Sequence, residues 1–125
     1  LGVKRIAILT PYEKSVNELV QKSIEAKGFT VPVFGSFNEN HDPTVAAINK
    51  SSLLNAIKKL LSVADFDAVF VSCTSVKLAE SIAEIEGDIG IPVTSSNHAL
   101  AWHCLRLSGI NDKIPNNGKL FECTL

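Results

Sequence analysis

One stretch, FDAVFVSCTSV from Phe66 to Val76, constrains the fold of this chain more than any other. Its residues Ala68 to Val71 form a short, wholly apolar run, which is typical of a strand buried on both faces. Four small residues with polar atoms follow, and the pattern after them predicts a helix from about Val76 to Glu86. Cys73 is therefore predicted in a turn between a buried strand and a helix N-terminus, where main-chain N–H groups favour a thiolate or a bound carboxylate. A polar turn with an inert cysteine is the alternative interpretation.

The alternation of strand and helix recurs along the whole chain. Further strands are predicted over Val3–Leu9, Phe29–Phe34 and Gly90–Thr94, and further helices over Val16–Lys27, Val45–Leu61 and His98–Leu107. Pro32 favours an edge position for the second strand, because proline lacks the N–H that a central strand donates. Four such units predict a parallel α/β sheet with helices on both faces and a flavodoxin-like strand order of 2-1-3-4. Gly118 to Thr124 is predicted to be an extended tail.

Composition excludes several classes of function. With 46% hydrophobic and 20% charged residues, residues 1–125 are predicted to form a single α/β domain with its own core. A net charge of −1 lacks the basic surface that binds nucleic acid or an anionic membrane, and no apolar run approaches the ~20 residues that span a bilayer. Three cysteines without paired spacing indicate reduced thiols and a cytoplasmic location. The abrupt start at Leu1 suggests a piece of a longer protein.

Ligands of such sheets bind beyond the carboxyl ends of the strands, at the point where the strand order reverses. Here that point lies between strands one and three, so Thr10-Pro11-Tyr12 and Ser72-Cys73-Thr74-Ser75 are predicted to be neighbours. Thr94 to Asn97 should lie close beside them. The polar loop from Asn38 to Asp42 is predicted over the same strand ends.

The three strand-end turns suit a substrate that is itself an anion. They carry hydroxyls, an amide and helix-start N–H groups, but no lysine and no carboxylate of their own. A small carboxylate held by N–H and O–H donors is therefore the predicted ligand. Cys73 is the residue there that can serve as a nucleophile or proton carrier near neutral pH, and Tyr12 can donate a hydrogen bond to a developing oxyanion. The sequence contains no evident metal cluster, phosphate loop or Ser-His-Asp arrangement.

Several other reactive residue types have plain structural interpretations. Cys104 and Trp102, both on the last helix, are predicted to pack in the hydrophobic core of the protein. Nothing in the sequence around Cys123 indicates a reactive role. The three histidines, His41, His98 and His103, are predicted to have surface or capping roles. Asn97 is either a helix cap or a ligand contact, and Ser72 either contacts the ligand or only closes its strand.

Four segments together resemble a known family. They are TPY and VN (Thr10–Tyr12 and Val16–Asn17), SCT (Ser72–Thr74) and GIPVTSSNHALAWHCLRLSGI (Gly90–Ile110). These motifs resemble, in order and near spacing, the second half of the maleate cis-trans isomerase and arylmalonate decarboxylase branch of the aspartate/glutamate racemase superfamily. The resemblance covers nearly the whole chain.

That resemblance implies two similar α/β domains, an active site in the cleft between them, and no metal or organic cofactor. It implies that Cys73 is the catalytic cysteine of the second domain and that Tyr12 hydrogen-bonds a substrate carboxylate. The N–H groups of Thr74 and Ser75 would belong to the carboxylate-binding turn. An asparagine that contacts substrate in maleate isomerases would fall at about Asp42, with Asn40 two residues earlier, so the sequence departs from the family there.

The first half of such an enzyme, with its second cysteine, has no counterpart in this sequence. The resemblance therefore implies an isomerase, decarboxylase or racemase domain that acts on a small dicarboxylate, without choosing among the three reactions. A different class of function remains open, in which the chain binds small carboxylates without turnover or persists as a remnant that dimerises. A homodimer, or a missing first domain, would supply the other wall of the cleft.

Overall fold

Four short strands form one parallel sheet in the structure, a computed structural model that describes residues 1–125. The strands are β1 (Ile6–Thr10), β2 (Phe34–Ser36), β3 (Ala68–Val71) and β4 (Val93–Ser95). All neighbouring pairs are parallel and the spatial order is β2-β1-β3-β4. The predicted fold class, strand order and edge position of the second strand are thus confirmed.

Five α-helices connect and follow the strands. They are α1 (Lys14–Glu25), α2 (Asp42–Ala46), α3 (Lys50–Leu61), α4 (Ile82–Ile89) and α5 (Ser96–Leu107), with 3₁₀ turns at Ala79–Ser81 and Lys119–Glu122. Side-chain oxygens cap two of the helices: Asn49 accepts from the Ser52 N–H at the start of α3, and Ser95 accepts from the His98 N–H at the start of α5. None of these helices is both long and apolar enough to cross a bilayer.

The main core lies on the sheet face that α3 and α4 cover. It is a cluster of 15 buried residues, and it includes alternate residues of the central strands, such as Ala7, Leu9, Val69 and Val71. Apolar residues at helical spacing on α3 and α4 complete it, namely Leu53, Ile57, Leu60, Ile82 and Ile85.

The other face of the sheet is less completely covered. Helix α1 buries none of its residues, and Leu19 on it is 67% exposed. An apolar groove of ≈ 390 Å³ runs between α1 and α5, lined by Ile24 and Trp102 on the helices and by Ile6 and Phe70 on the sheet. The two faces therefore differ in how much apolar surface they remove from water.

The helix predicted from Val76 to Glu86 begins later than expected. Residues 72–78 contain no regular element, a 3₁₀ turn follows, and α4 begins at Ile82. Val76 and Leu78 are both buried although they are two residues apart, which is the alternation of an extended chain. Cys73 therefore does not precede a helix N-terminus, and the dipole argument for its activation does not apply to α4.

Proline and glycine residues explain two shifted strands. The second strand is predicted over Phe29–Phe34, but before β2 the pairing is reduced to an isolated bridge between Thr30 and Arg5, because Pro32 interrupts the ladder. The predicted start of the fourth strand, Gly90, instead ends α4 in a left-handed conformation (φ +79°), and β4 begins after Pro92.

The tail is not extended, and buried polar side chains of α4 and α5 hold it. The buried Arg106 guanidinium donates to the carbonyl oxygens of Ile110, Phe121 and Cys123. The carboxylate of Glu86, also buried, accepts from the N–H groups of Val93 and Lys119, both at 2.8 Å. These contacts satisfy buried charged groups with main-chain partners from distant parts of the chain.

Two residue predictions on α5 are wrong. His98 is buried rather than on the surface, because Thr94 Oγ1 bonds one ring nitrogen at 3.0 Å and the Asn117 carbonyl bonds the other at 2.7 Å. Burial lowers the pKa of His98, against smaller raising effects of the Asn117 carbonyl and the charge of Glu86. Cys104 is exposed rather than packed in the core. The indole N–H of Trp102, which is half-buried, donates to the Cys123 carbonyl.

Candidate functional site

The carboxyl ends of β1 and β3 bring the two predicted turns together. Leu9 is paired with Val71, and the next N–H along, that of Ser72, donates to the Leu9 carbonyl at 2.9 Å. Tyr12 packs against the core cluster that contains Cys73, and the Cys73 side chain contributes to the raised pKa of the Tyr12 phenol. The predicted juxtaposition of these turns at the point where the strand order reverses is what the structure has.

The turn that carries Tyr12 is fixed by a closed set of hydrogen bonds. Thr10 Oγ1 accepts from the Tyr12 N–H at 3.2 Å and donates to Asn17 Oδ1 at 2.5 Å. The Tyr12 carbonyl accepts from Asn17 Nδ2 at 2.8 Å and from Ser36 Oγ at 2.5 Å. These bonds orient the phenol toward the strand ends before any ligand arrives.

The same bonds remove two predicted ligand contacts. Thr10 is fully buried (0% exposed) and its hydroxyl is already used as donor and acceptor, so it supports Tyr12 rather than facing a ligand. Pro11 is also fully buried. Both residues therefore shape the turn from inside.

The turn that carries Cys73 is bonded much more sparsely. Cys73 is 6% exposed, and its Sγ accepts from the Ser75 N–H at 3.3 Å. The N–H groups of Cys73 and Thr74 have no partner within the protein. Asn97 Nδ2, from the first turn of α5, donates to the Thr74 carbonyl at 2.8 Å. Of the two N–H groups predicted to bind a carboxylate, that of Ser75 donates to the sulfur and that of Thr74 has no partner; the N–H of Cys73 has none either.

Two of the predicted contacts have structural roles in this turn. Ser72 continues the ladder through its main-chain N–H, as the structural interpretation expected. Asn97 does not cap α5, since Ser95 does, and its side chain instead fastens the Cys73 turn to α5.

Tyr12, Cys73, Ser75 and Asp42 form one polar cluster. Ser75 Oγ donates to Asp42 Oδ1 at 3.2 Å. Burial of the phenol, its polar contact with Cys73 and the negative charge of Cys73 and Asp42 together raise the pKa of Tyr12 to about 12. The phenol consequently stays protonated near neutral pH and remains a hydrogen-bond donor.

The loop over the strand ends lies where the sequence predicted. The N–H of Phe37 donates to the Thr10 carbonyl at 2.9 Å, and that of Glu39 donates to the Pro11 carbonyl at 2.7 Å. Asp42 follows as the first residue of α2 and reaches Ser75. Asn40 is exposed and makes no hydrogen bond through its side chain, so only Asp42 of this predicted pair joins the cluster.

The cluster lies on an open edge. A cavity of ≈ 450 Å³ lies beside Tyr12, Asn17 and Ser36, and another of ≈ 290 Å³ lies beside Asn97 and residues 76–81. Cys73 lines neither of them. No group of three or more His, Cys, Asp or Glu side chains is arranged to hold a metal ion.

Sequence reasoning missed Asn17 and Ser36, the two residues that hold the Tyr12 carbonyl. Asn17 belongs to the VN motif of the resemblance, but its place on a helix shows no chemistry of its own. Ser36 is the last residue of β2, and its pairing with Thr10 became visible only with the register of the sheet.

Comparison with known proteins places this site in a family. A sequence model described as arylmalonate decarboxylase matches residues 1–121. The chain belongs to the arylmalonate decarboxylase family. Within it, the chain is 29% identical to the arylmalonate decarboxylase of Bordetella bronchiseptica over 98% of its own length and 52% of that protein. It is 30% identical to the maleate isomerase of Alcaligenes faecalis, over 97% of its own length and 48% of that protein.

Solved structures of this family superpose well on the chain. One is a cysteine-to-serine mutant of the Nocardia farcinica maleate cis-trans isomerase with a covalently bound succinylcysteine intermediate. It matches with a TM-score of 0.87 and 27% identity, over 95% of this chain and 49% of that one. The chain thus spans about half the length of the arylmalonate decarboxylase family members it matches.

Proposed function

We propose that residues 1–125 form one domain of a cysteine-dependent, cofactor-independent isomerase, decarboxylase or racemase, with a small dicarboxylate of the maleate type as substrate. The observation that carries this proposal is the Tyr12 phenol beside the Cys73 thiol at the ends of β1 and β3. In a maleate isomerase relative, a cysteine-to-serine mutant still holds a covalently bound succinylcysteine, so a thiol is the reacting group in that protein and the adduct is on a cysteine other than the replaced one.

The polar cluster suits addition of a thiolate to an activated double bond. In isomerisation, the Cys73 sulfur forms a C–S bond to one alkene carbon, and the electron pair of the π bond moves to the neighbouring carbon. That carbanion is delocalised into the adjacent carboxylate as an enediolate. The free N–H groups of Cys73 and Thr74 and the Tyr12 hydroxyl are donors that stabilise its oxygens. Rotation about the new single bond follows, and cleavage of the C–S bond releases the trans alkene and the thiolate.

The same groups serve the two other reactions of the proposal. Loss of CO₂ leaves an equivalent enediolate, and the Cys73 thiol then delivers a proton to that carbon. In racemisation the Cys73 thiolate removes the proton α to a carboxylate, and this removal forms the enediolate. Racemisation also needs a second group, which returns a proton to the opposite face of the enediolate carbon. The strand ends of this single sheet offer one wall only, so we propose that a first domain or a second copy of the chain supplies the other.

A reducing compartment belongs to the same proposal. All three cysteines are free, and Cys73 must be a free thiol to react. We propose the cytoplasm, where thiols stay reduced.

Covalent labelling tests the proposed chemistry. The chain is incubated with maleate, and the adduct is located by mass spectrometry of the intact protein and of its peptides. We expect a succinyl adduct on Cys73 that Cys73→Ser abolishes and that the control Cys104→Ser, at an exposed thiol, leaves unchanged. Labelling of Cys104 without labelling of Cys73 would contradict the proposal. Proton NMR of the same mixture reports whether fumarate appears.

Binding without turnover is the second candidate function. It is favoured by the burial of the thiol, since Cys73 is 6% exposed and lines neither cavity beside the strand ends. A chain that binds a carboxylate at the Cys73 turn, forms no adduct and yields no product in any oligomeric state would support this alternative.

A further inference from the structure

Asp42 brings a carboxylate to the edge of a site whose other polar groups are donors. Its Oδ1 accepts from Ser75 Oγ at 3.2 Å, while the N–H of the same Ser75 donates to Cys73 Sγ at 3.3 Å. One residue therefore bridges the carboxylate and the thiol. That hydrogen bond turns the Asp42 side chain toward the Cys73 turn.

No cation of the protein neutralises Asp42. The ion pairs of the molecule join Lys14 to Glu18 and Lys50 to Glu84, and both lie elsewhere. Asp42 is exposed, and its Oδ2 has no hydrogen-bond partner within the chain. A ligand at the Cys73 turn therefore meets an unpaired negative charge and a free acceptor.

The two ends of the site thus differ in electrostatic character: one is positive and the other negative. The free N–H groups of Cys73 and Thr74 attract an anion, whereas Asp42 repels one and accepts hydrogen bonds from a donor. A short dicarboxylate would place its second charge against Asp42, and no lysine or arginine bonds to Asp42 to offset the repulsion.

We propose that Asp42 makes the site specific for a short carboxylate whose opposite end carries an N–H donor, such as an amide or an ammonium group, in place of a second carboxylate. This inference rests on the proposed function, because it assumes that the ligand binds at the Cys73 turn. It differs from the substrate proposed above in one respect: the end that faces Asp42 is an amide or ammonium group and not a second carboxylate, as in the half-amide or the amino acid of the same length. Asp42 is a specificity-determining residue in this arrangement and takes no part in bond making.

Equilibrium binding of unreactive analogues tests the specificity without requiring turnover. Succinate, succinamate and 4-aminobutyrate share a carboxylate and a similar length but differ at the other end. We expect succinamate to bind about fivefold more tightly than succinate, which is the Coulomb penalty for two like charges ~4 Å apart in water. Comparison of succinamate with 4-aminobutyrate distinguishes an amide from an ammonium as the preferred donor. Chemical-shift titration of the Thr74 amide reports each dissociation constant at the site.

The Asp42→Asn variant should remove the preference, so that succinate binds at least as tightly as succinamate. Asp112→Asn, at an exposed tail position, makes the same change in net charge and should leave the preference intact. Equal affinities in the unaltered chain, tighter binding of succinate, or no saturable shift with any of the three ligands would each overturn the inference. The proposed chemistry is judged separately, since an adduct of maleate on Cys73 would stand even if Asp42→Asn changed nothing.

Discussion

The turn after β1 and the turn after β3 meet at the same edge of the sheet but are built in opposite ways. The Tyr12 turn uses its polar groups internally, because Thr10, Asn17 and Ser36 bond its main chain on both sides. The Cys73 turn leaves main-chain donors free; Asn97 bonds its Thr74 carbonyl and Asp42 bonds its Ser75 hydroxyl.

The difference separates two requirements of a site that handles anions. A phenol that donates to an oxyanion is most effective when its direction is fixed beforehand, and the Tyr12 turn provides that rigidity. An anion needs N–H groups that are not already bonded, and the Cys73 turn provides those. We infer that the Tyr12 turn fixes the direction of the phenol and that the Cys73 turn provides the affinity for the anion.

The largest effect is expected from Asn17→Ala, which breaks the rigid turn. It leaves the buried Thr10 hydroxyl without its acceptor and the Tyr12 carbonyl with one donor fewer. We expect the free energy of unfolding, measured by urea denaturation, to fall by about 2–3 kcal/mol, which is the cost of two lost bonds with a buried group unsatisfied. Asn55→Ala, at an exposed asparagine of α3 without a side-chain hydrogen bond, is the control. A loss equal to that of the control would show that the first turn is not held as described.

A smaller effect is expected from Asn97→Ala, which releases the sparse turn. Because Asn97 is exposed and makes one bond, to the Thr74 carbonyl, we expect a loss of about 0.5–1.5 kcal/mol in the free energy of unfolding. Alkylation of Cys73 by iodoacetamide should change in rate, while the Tyr12 turn keeps its hydrogen-exchange protection. A stability loss larger than that of Asn17→Ala would reverse the comparison.

The smallest effect is expected from mild acid, acting on the helix that anchors the Cys73 turn. Burial lowers the pKa of His98 below its ordinary 6.5, so the unfolded chain takes up a proton before the folded one does. The contribution of neutral His98 to the free energy of unfolding is therefore full above pH 6.5. It is lost as the pH falls through the lowered pKa of His98 in the folded state. His98→Asn should flatten this part of the stability curve in urea denaturation, and His103→Asn, at an exposed histidine of α5, should not. A curve that is the same for both variants would contradict this role of His98.

Local patterns in the sequence were sufficient to predict the strand order of the sheet. The apolar run at Ala68–Val71 and the alternation of strands and helices predict the order β2-β1-β3-β4, and that order alone places Tyr12 near Cys73. The start of α4 was predicted wrongly because the spacing of Val76, Leu78 and Ile82 fits an extended segment followed by a helix as well as one continuous helix.

Local patterns could not predict the roles of residues that depend on hydrogen-bond partners distant in sequence. His98 is buried because Asn117 comes back to it from the tail, and Thr10 is withdrawn from the site by Asn17 on α1. The free donors of the Cys73 turn could not be separated from the bonded one, since the Ser75 N–H differs from its neighbours only in its bond to the sulfur. Such assignments follow from tertiary contacts, which no local pattern of residue types specifies.

The most direct test of the pairing of Tyr12 with Cys73 uses the only tyrosine of the chain. Titration of its Cζ resonance by carbon NMR, with circular dichroism recorded in parallel to verify the fold, reports the pKa of this phenol without assignment. We expect a midpoint of about 12 in the unaltered chain. We expect a lower midpoint in Cys73→Ala, where the polar contact between the phenol and the sulfur and the charge of a Cys73 thiolate are both gone. A midpoint at the ordinary 10.0 in the folded protein, unchanged by Cys73→Ala, would contradict the pairing.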